Sequence, residues 1–139
     1  MISNAPLISL LGYTAWTMLL VLAIVTWRGL EILRGHKKLN EFPAGVEHGS
    51  TAYWRLYRAH ANSVENLPIV IALVLAGLHL HATGGAFDRA AMVALVARIA
   101  QSLVHVSSGS VPATTLRFTA FATQYVCFAV MLVQILRSL

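Results

Sequence analysis

Four apolar stretches, each about as long as a bilayer is thick, constrain this chain more than any other feature. A spanning helix needs roughly 20 mostly apolar residues, and lipid offers no partner to a free backbone N–H or C=O. The stretches run from about residue 6 to 33, 53 to 82, 87 to 106 and 112 to 137. Leu19-Leu20-Val21-Leu22-Ala23-Ile24-Val25 forms the heart of the first. Thr83-Gly84-Gly85 is a tight turn signal before the third. Pro112 suits the first turn of the fourth. The pattern predicts an all-α integral membrane four-helix bundle, one domain over residues 1–139. Only 11% of the residues are charged, against about 25% in a soluble domain. The net charge of +5 does not point to nucleic acid, because Lys and Arg cluster beside apolar spans instead of forming a free basic face.

The one long polar loop, from Arg34 to Tyr53, carries Arg34, Lys37 and Lys38, with Arg55 and Arg58 just beyond. Positive residues favour the cytoplasmic side. The loop is therefore expected in the cytoplasm, with both termini and the Gly84-Gly85 turn on the non-cytoplasmic side. The first basic residue is Arg28, so no positive segment precedes the first apolar run, and that run is expected to stay as an uncleaved helix. A compact chain of this kind points to a bacterial inner membrane.

Polar residues inside the spans carry the functional signal. Glu65 is the one carboxylate in the interior of a span. Charge there is costly and is by default a functional hypothesis with a partner to be found. At about 100° per residue, Arg58, Asn62 and Glu65 share a sector of roughly 60°, flanked by Asn66. On the third span Arg98, Gln101 and His105 form a similar stripe beside Ser102. On the fourth, Thr114, Arg117, Phe121 and Gln124 share a face. Such stripes should face one another or a neighbouring subunit. Glu65 lies about 10 Å deeper than Arg58, and Arg98 is at matching depth on its own helix. That predicts an Arg98–Glu65 ion pair, either a structural clamp, part of a site, or both.

Each remaining residue also has a plain structural reading. Arg28 and Arg34 can be snorkelling anchors, and Lys37 and Lys38 headgroup contacts. His105 can be a polar cap; His79 and His81 lie near the opposite surface; His36 and His48 are in the loop. Trp16, Trp27, Trp54 and the tyrosines read as core or interface aromatics. Cys127 reads as a small packing residue. No His or Cys spacing resembles a metal site, so no metal is expected. No phosphate loop or nucleophile elbow is present.

The run Arg58-Ala59-His60-x-Asn62-x-x-Glu65-Asn66-x-Pro68 resembles the signature of the MAPEG family, the membrane-associated proteins in eicosanoid and glutathione metabolism. The resemblance covers nearly the whole chain: four spans, a basic first loop, an arginine in the third span and a proline opening the fourth. It implies a homotrimer that binds glutathione between subunits. By position, Arg58, Asn62 and Glu65 resemble the second-helix glutathione contacts, and Arg98 the arginine that pairs with the glutamate. Gln101 and His105 fall where the prostaglandin E synthase branch has ligands, and Arg34 or Arg28 matches a recurrent first-helix arginine.

The chain departs from the family where its chemistry sits. Thr114 and Thr115 stand where several members have Arg-Ser, and the nearest arginine is Arg117, about 4.5 Å deeper on the same face. Phe118 replaces a tyrosine, and Ala61 a basic residue. Arg117 is thus the candidate for stabilising the glutathione thiolate, with Arg34 in reserve. The reading is a glutathione transferase or peroxidase acting on a lipophilic electrophile or lipid hydroperoxide. The alternative is a non-enzymatic lipid- or partner-binding protein of the same fold. A small proton-coupled exporter is disfavoured, since the first span holds no carboxylate before Glu31.

Overall fold

A computed structural model of the chain describes residues 4–139. Four helices follow in order: α1 (Ala5–Leu33), α2 (Thr51–His79), α3 (Gly85–Ser107) and α4 (Val111–Leu136). All four are long and apolar enough to cross a membrane. The short connections after α2 and α3 make those neighbours antiparallel, so the 34–50 loop, the start of α2, the end of α3 and the start of α4 share one end of the bundle.

Local sequence sets the helix ends. Pro6 sits in the first turn of α1, where its missing N–H costs nothing. Ser50 caps α2 by accepting from the Tyr53 amide at 3.2 Å. Ser110 caps α4 by accepting from the Ala113 amide at 3.4 Å. The second helix starts two residues before the expected boundary and stops three before it. It stops because His81 adopts a left-handed φ of 53°, which lets the Ala82 amide close onto the Gly77 carbonyl at 2.9 Å. This is the six-to-one bond of a Schellman ending, made here without glycine.

Helices α2 and α3 each pack against the three others, α3 most extensively against α4, whereas α1 and α4 are not adjacent. Small residues permit the close approach: Ala90, Ala91, Ala94 and Ala97 are all buried. Gly77 lies directly under the Phe87 ring, and Gly12 under Leu95. The main core joins Leu10, Val70, Val74, Phe87, Phe128 and Met131, and a smaller one near the loop joins Leu20, Ile24, Tyr53 and Leu56. The outer faces carry exposed Ile8, Leu11, Met18, Leu22, Val25 and Val96. On a water-soluble protein so much exposed apolar surface would drive association; in a bilayer it is the solvated face.

Candidate functional site

Two sets of polar groups lie in the bundle, one turned inward and one outward. The inward set begins with Arg98, which is wholly buried. Its Nε donates to the Tyr13 hydroxyl at 2.6 Å, and its guanidinium lies 5.5 Å from the centroid of that ring. Its two terminal nitrogens are buried with no partner. Around it, Thr17 and Ser63 share a hydrogen bond of 2.8 Å. Gln124 Nε2 donates to Gln101 Oε1 at 2.9 Å. The Tyr125 hydroxyl donates to Asn66 Oδ1 at 3.1 Å.

The outward set is the α2 stripe. Arg58 and Glu65 are exposed and Asn62 is half-buried. Among the described residues none of the three has a hydrogen bond or ion pair; the ion pairs present join Glu31 to Arg34 and His36. The expected Arg98–Glu65 ion pair is therefore not formed in the chain. The reason is the rotation of α2, which turns Ser63, Asn66 and Val70 into the bundle. Glu65 is about 100° away from Asn66 and faces out. It remains near enough to act on Arg98 electrostatically. The role of Arg98's hydrogen-bond partner falls to Tyr13.

At the loop end the two sets meet. Arg55, Arg58 and Arg117 all lie close enough to His105 to act on it electrostatically. Arg55 is tied down, its Nε donating to the Val106 carbonyl at 3.1 Å. Arg117 is half-buried and bends back to donate to Thr114 Oγ1 at 3.1 Å. Three guanidinium groups beside one imidazole, with no carboxylate bonded among them, make a site for an anion.

The remaining expected residues are divided. Gln101 is buried and occupied by Gln124, so within one chain it is not free to hold a ligand. Arg34 stands at the exposed end of α1, 3.8 Å from Glu31. Arg28 is more than a headgroup anchor: its Nε donates to the Tyr53 hydroxyl at 2.7 Å, and it lies over Phe42. Tyr13 is a core tyrosine, within the reading of the tyrosines as core or interface aromatics, but its bond to Arg98 is not given by that reading. Its signal was the four-residue spacing of Ser9, Tyr13 and Thr17, all buried, which is a polar stripe within an apolar helix.

A model of the MAPEG family matches residues 6–137. The chain belongs to the MAPEG family. Membership fits membrane-bound glutathione-related or eicosanoid metabolism. The match takes in every helix and both polar sets, so the outward α2 stripe and the loop-end arginines belong to the family's domain and not to an appended segment. No curated protein gives a significant match to the chain. With four apolar helices, this MAPEG protein is an integral multi-pass membrane protein.

Proposed function

We propose that this MAPEG protein is a membrane-bound glutathione-dependent transferase or peroxidase, working as a homotrimer with glutathione between adjacent subunits. The observation that carries the reading is the outward stripe of Arg58, Asn62 and Glu65, unbonded among the described residues and continuous with the basic cluster around His105. Glu65 lies about 20 Å along α2 from its start, well inside the span. A carboxylate facing lipid there is expensive, so another copy or a ligand must cover it.

Glutathione supplies complementary chemistry. Its two carboxylates suit Arg58 and the loop-end arginines, its ammonium suits Glu65, and its peptide groups suit Asn62. A thiol of this kind has a pKa of about 8.5 and reacts as the thiolate. Arg117, at the same end of the bundle, would hold the thiolate negative charge. In a transferase step the sulfur forms a bond to an electrophilic carbon while that carbon's bond to its leaving group breaks. In a peroxidase step the sulfur attacks the hydroperoxide's terminal oxygen and the O–O bond breaks. The alkoxide takes a proton to become an alcohol, and a second glutathione reduces the sulfenic acid to give the disulfide and water. The basic loop end would face the cytoplasm.

The test is an ultraviolet difference spectrum on adding glutathione to the detergent-purified protein. A saturable thiolate band at neutral pH supports the reading. Bound glutathione without the band would leave a cradle lacking the chemistry. No binding would favour the lipid- or partner-binding alternative.

A further inference from the structure

Beneath the 34–50 loop, apart from the site just described, lies a partly enclosed cavity of about 150 Å³. Its walls include the rings of Trp27, Phe42 and Tyr53, together with one acid, Glu31, and one base, Lys37. We propose that it binds the headgroup of an aminophospholipid, a phosphoethanolamine with a primary ammonium.

The loop is folded over this cavity by its own bonds. The Gly45 amide donates to the Tyr57 hydroxyl at 3.2 Å. The Lys38 amide donates to Glu41 at 3.0 Å. His48 Nδ1 lies 2.8 Å from the Val46 carbonyl, which can only accept, so that nitrogen carries the proton. The His48 ring in turn packs 5.2 Å from Tyr53.

The wall chemistry is that of a zwitterion's complement. Ring faces attract a cation; Phe42 and Tyr53 already have Arg28 over them, and Phe42 also Lys37, so the ammonium is assigned to the Glu31 side of the cavity, beside Trp27. Among the described residues Glu31 has two partners, His36 at 3.3 Å and Arg34 at 3.8 Å, whereas an ionised carboxylate offers about four acceptor positions. A primary ammonium has three donors to fill them; a quaternary ammonium has none, which favours ethanolamine over choline. For the phosphate there is positive charge gathered at Phe42, with Lys37 Nζ 5.4 Å and the Arg28 guanidinium 5.3 Å from its ring centroid.

Size and position agree. An apolar cavity of about this volume holds benzene, and the eight heavy atoms of phosphoethanolamine are a modest extension for a cavity open on one side. The cavity lies where α1 ends and α2 begins, with Trp27 and Tyr53 in its wall and Trp54 packed 6.4 Å from the lining His48 ring, and aromatic belts of this kind mark the headgroup layer.

The experiment is native mass spectrometry of the full chain from micelles holding phosphatidyl-ethanolamine, -choline and -glycerol in equal amounts. The ethanolamine lipid should be retained about tenfold over each of the others, equivalent to about 1.4 kcal/mol. Glu31→Gln and Lys37→Gln should each bring that preference close to one, with melting curves confirming that both variants fold. Equal retention of the three lipids, retention of choline as well as ethanolamine, or a preference unchanged in both variants would overturn the proposal. Displacement of the lipid by an equal concentration of soluble phosphoethanolamine would reassign the cavity to the free ester and overturn the lipid assignment.

Discussion

Arg98 on α3 and Tyr13 on α1 are joined by a 2.6 Å hydrogen bond from guanidinium Nε to phenol oxygen, and both terminal guanidinium nitrogens are buried with no partner among the described residues. A buried charge that loses its partner costs roughly 3–5 kcal/mol. Tyr13→Phe should therefore lower the melting temperature sharply. Arg98→Met removes charge and need together, and should be the milder change. The double variant should be less destabilised than the sum of the singles, and strict additivity would show that the two residues do not act as a pair.

Arg58 and Glu65 make no hydrogen bond or ion pair among the described residues, so Arg58→Ala and Glu65→Gln should leave the melting temperature of the glutathione-free protein nearly unchanged. Each should weaken glutathione binding about tenfold, equivalent to about 1.4 kcal/mol. Isothermal titration measures it. Unchanged affinity in both would remove the α2 stripe from the glutathione site.

Arg117 and Arg34 make opposing predictions for the thiolate. Arg117 sits among the His105 cluster, whereas Arg34 is exposed at the end of α1. Arg117→Ala should abolish the ultraviolet thiolate band while leaving glutathione bound, and Arg34→Ala should leave the band in place. The reverse pattern would hand the role to Arg34.

Gly77 has the Phe87 ring where a side chain would go. Gly77→Ala should overpack the α2–α3 contact at a cost of about 1–3 kcal/mol. Shrinking the ring with Phe87→Leu in the same chain should recover part of the loss. Wild-type stability for Gly77→Ala alone would mean that the two helices separate at little cost.

Ser50 and Ser110 each accept from an amide in the first turn of their helix. Replacing either by alanine should cost about 1 kcal/mol, read as a lowered melting temperature. Lowered helicity confined to α4 in Ser110→Ala, seen by amide exchange, would locate the effect.

How far the site could be read from residues alone differs from helix to helix. The stripe on α2 follows from helical period and charge, because lipid makes a misplaced carboxylate expensive wherever it points. The stripe on α3 was equally visible in Arg98, Gln101 and His105, but its partners were not. Depth along two helices matched Arg98 to Glu65, while the rotation of each helix about its axis was undetermined. Tyr13 escaped notice because a tyrosine in an apolar helix reads alike as belt, core or hydrogen-bond partner. The 34–50 loop was legible as polar and basic but its shape was not, since that depends on Tyr57, Tyr53 and Arg28 from the helices that flank it.

Sequence by itself determined the four spans, the basic end of the bundle and the family. The spans rest on local physics: transfer of side chains to lipid and backbone hydrogen bonds that lipid cannot replace. Tertiary structure alone decided that α2 and α3 each meet all three other helices, that Arg98 bonds Tyr13, that Gln101 is held by Gln124 and that Glu65 looks outward. Those outcomes depend on how small residues such as Gly12, Gly77 and Ala94 let helices approach and turn, and a rotation of one residue's 100° exchanges the inside of a helix for its side.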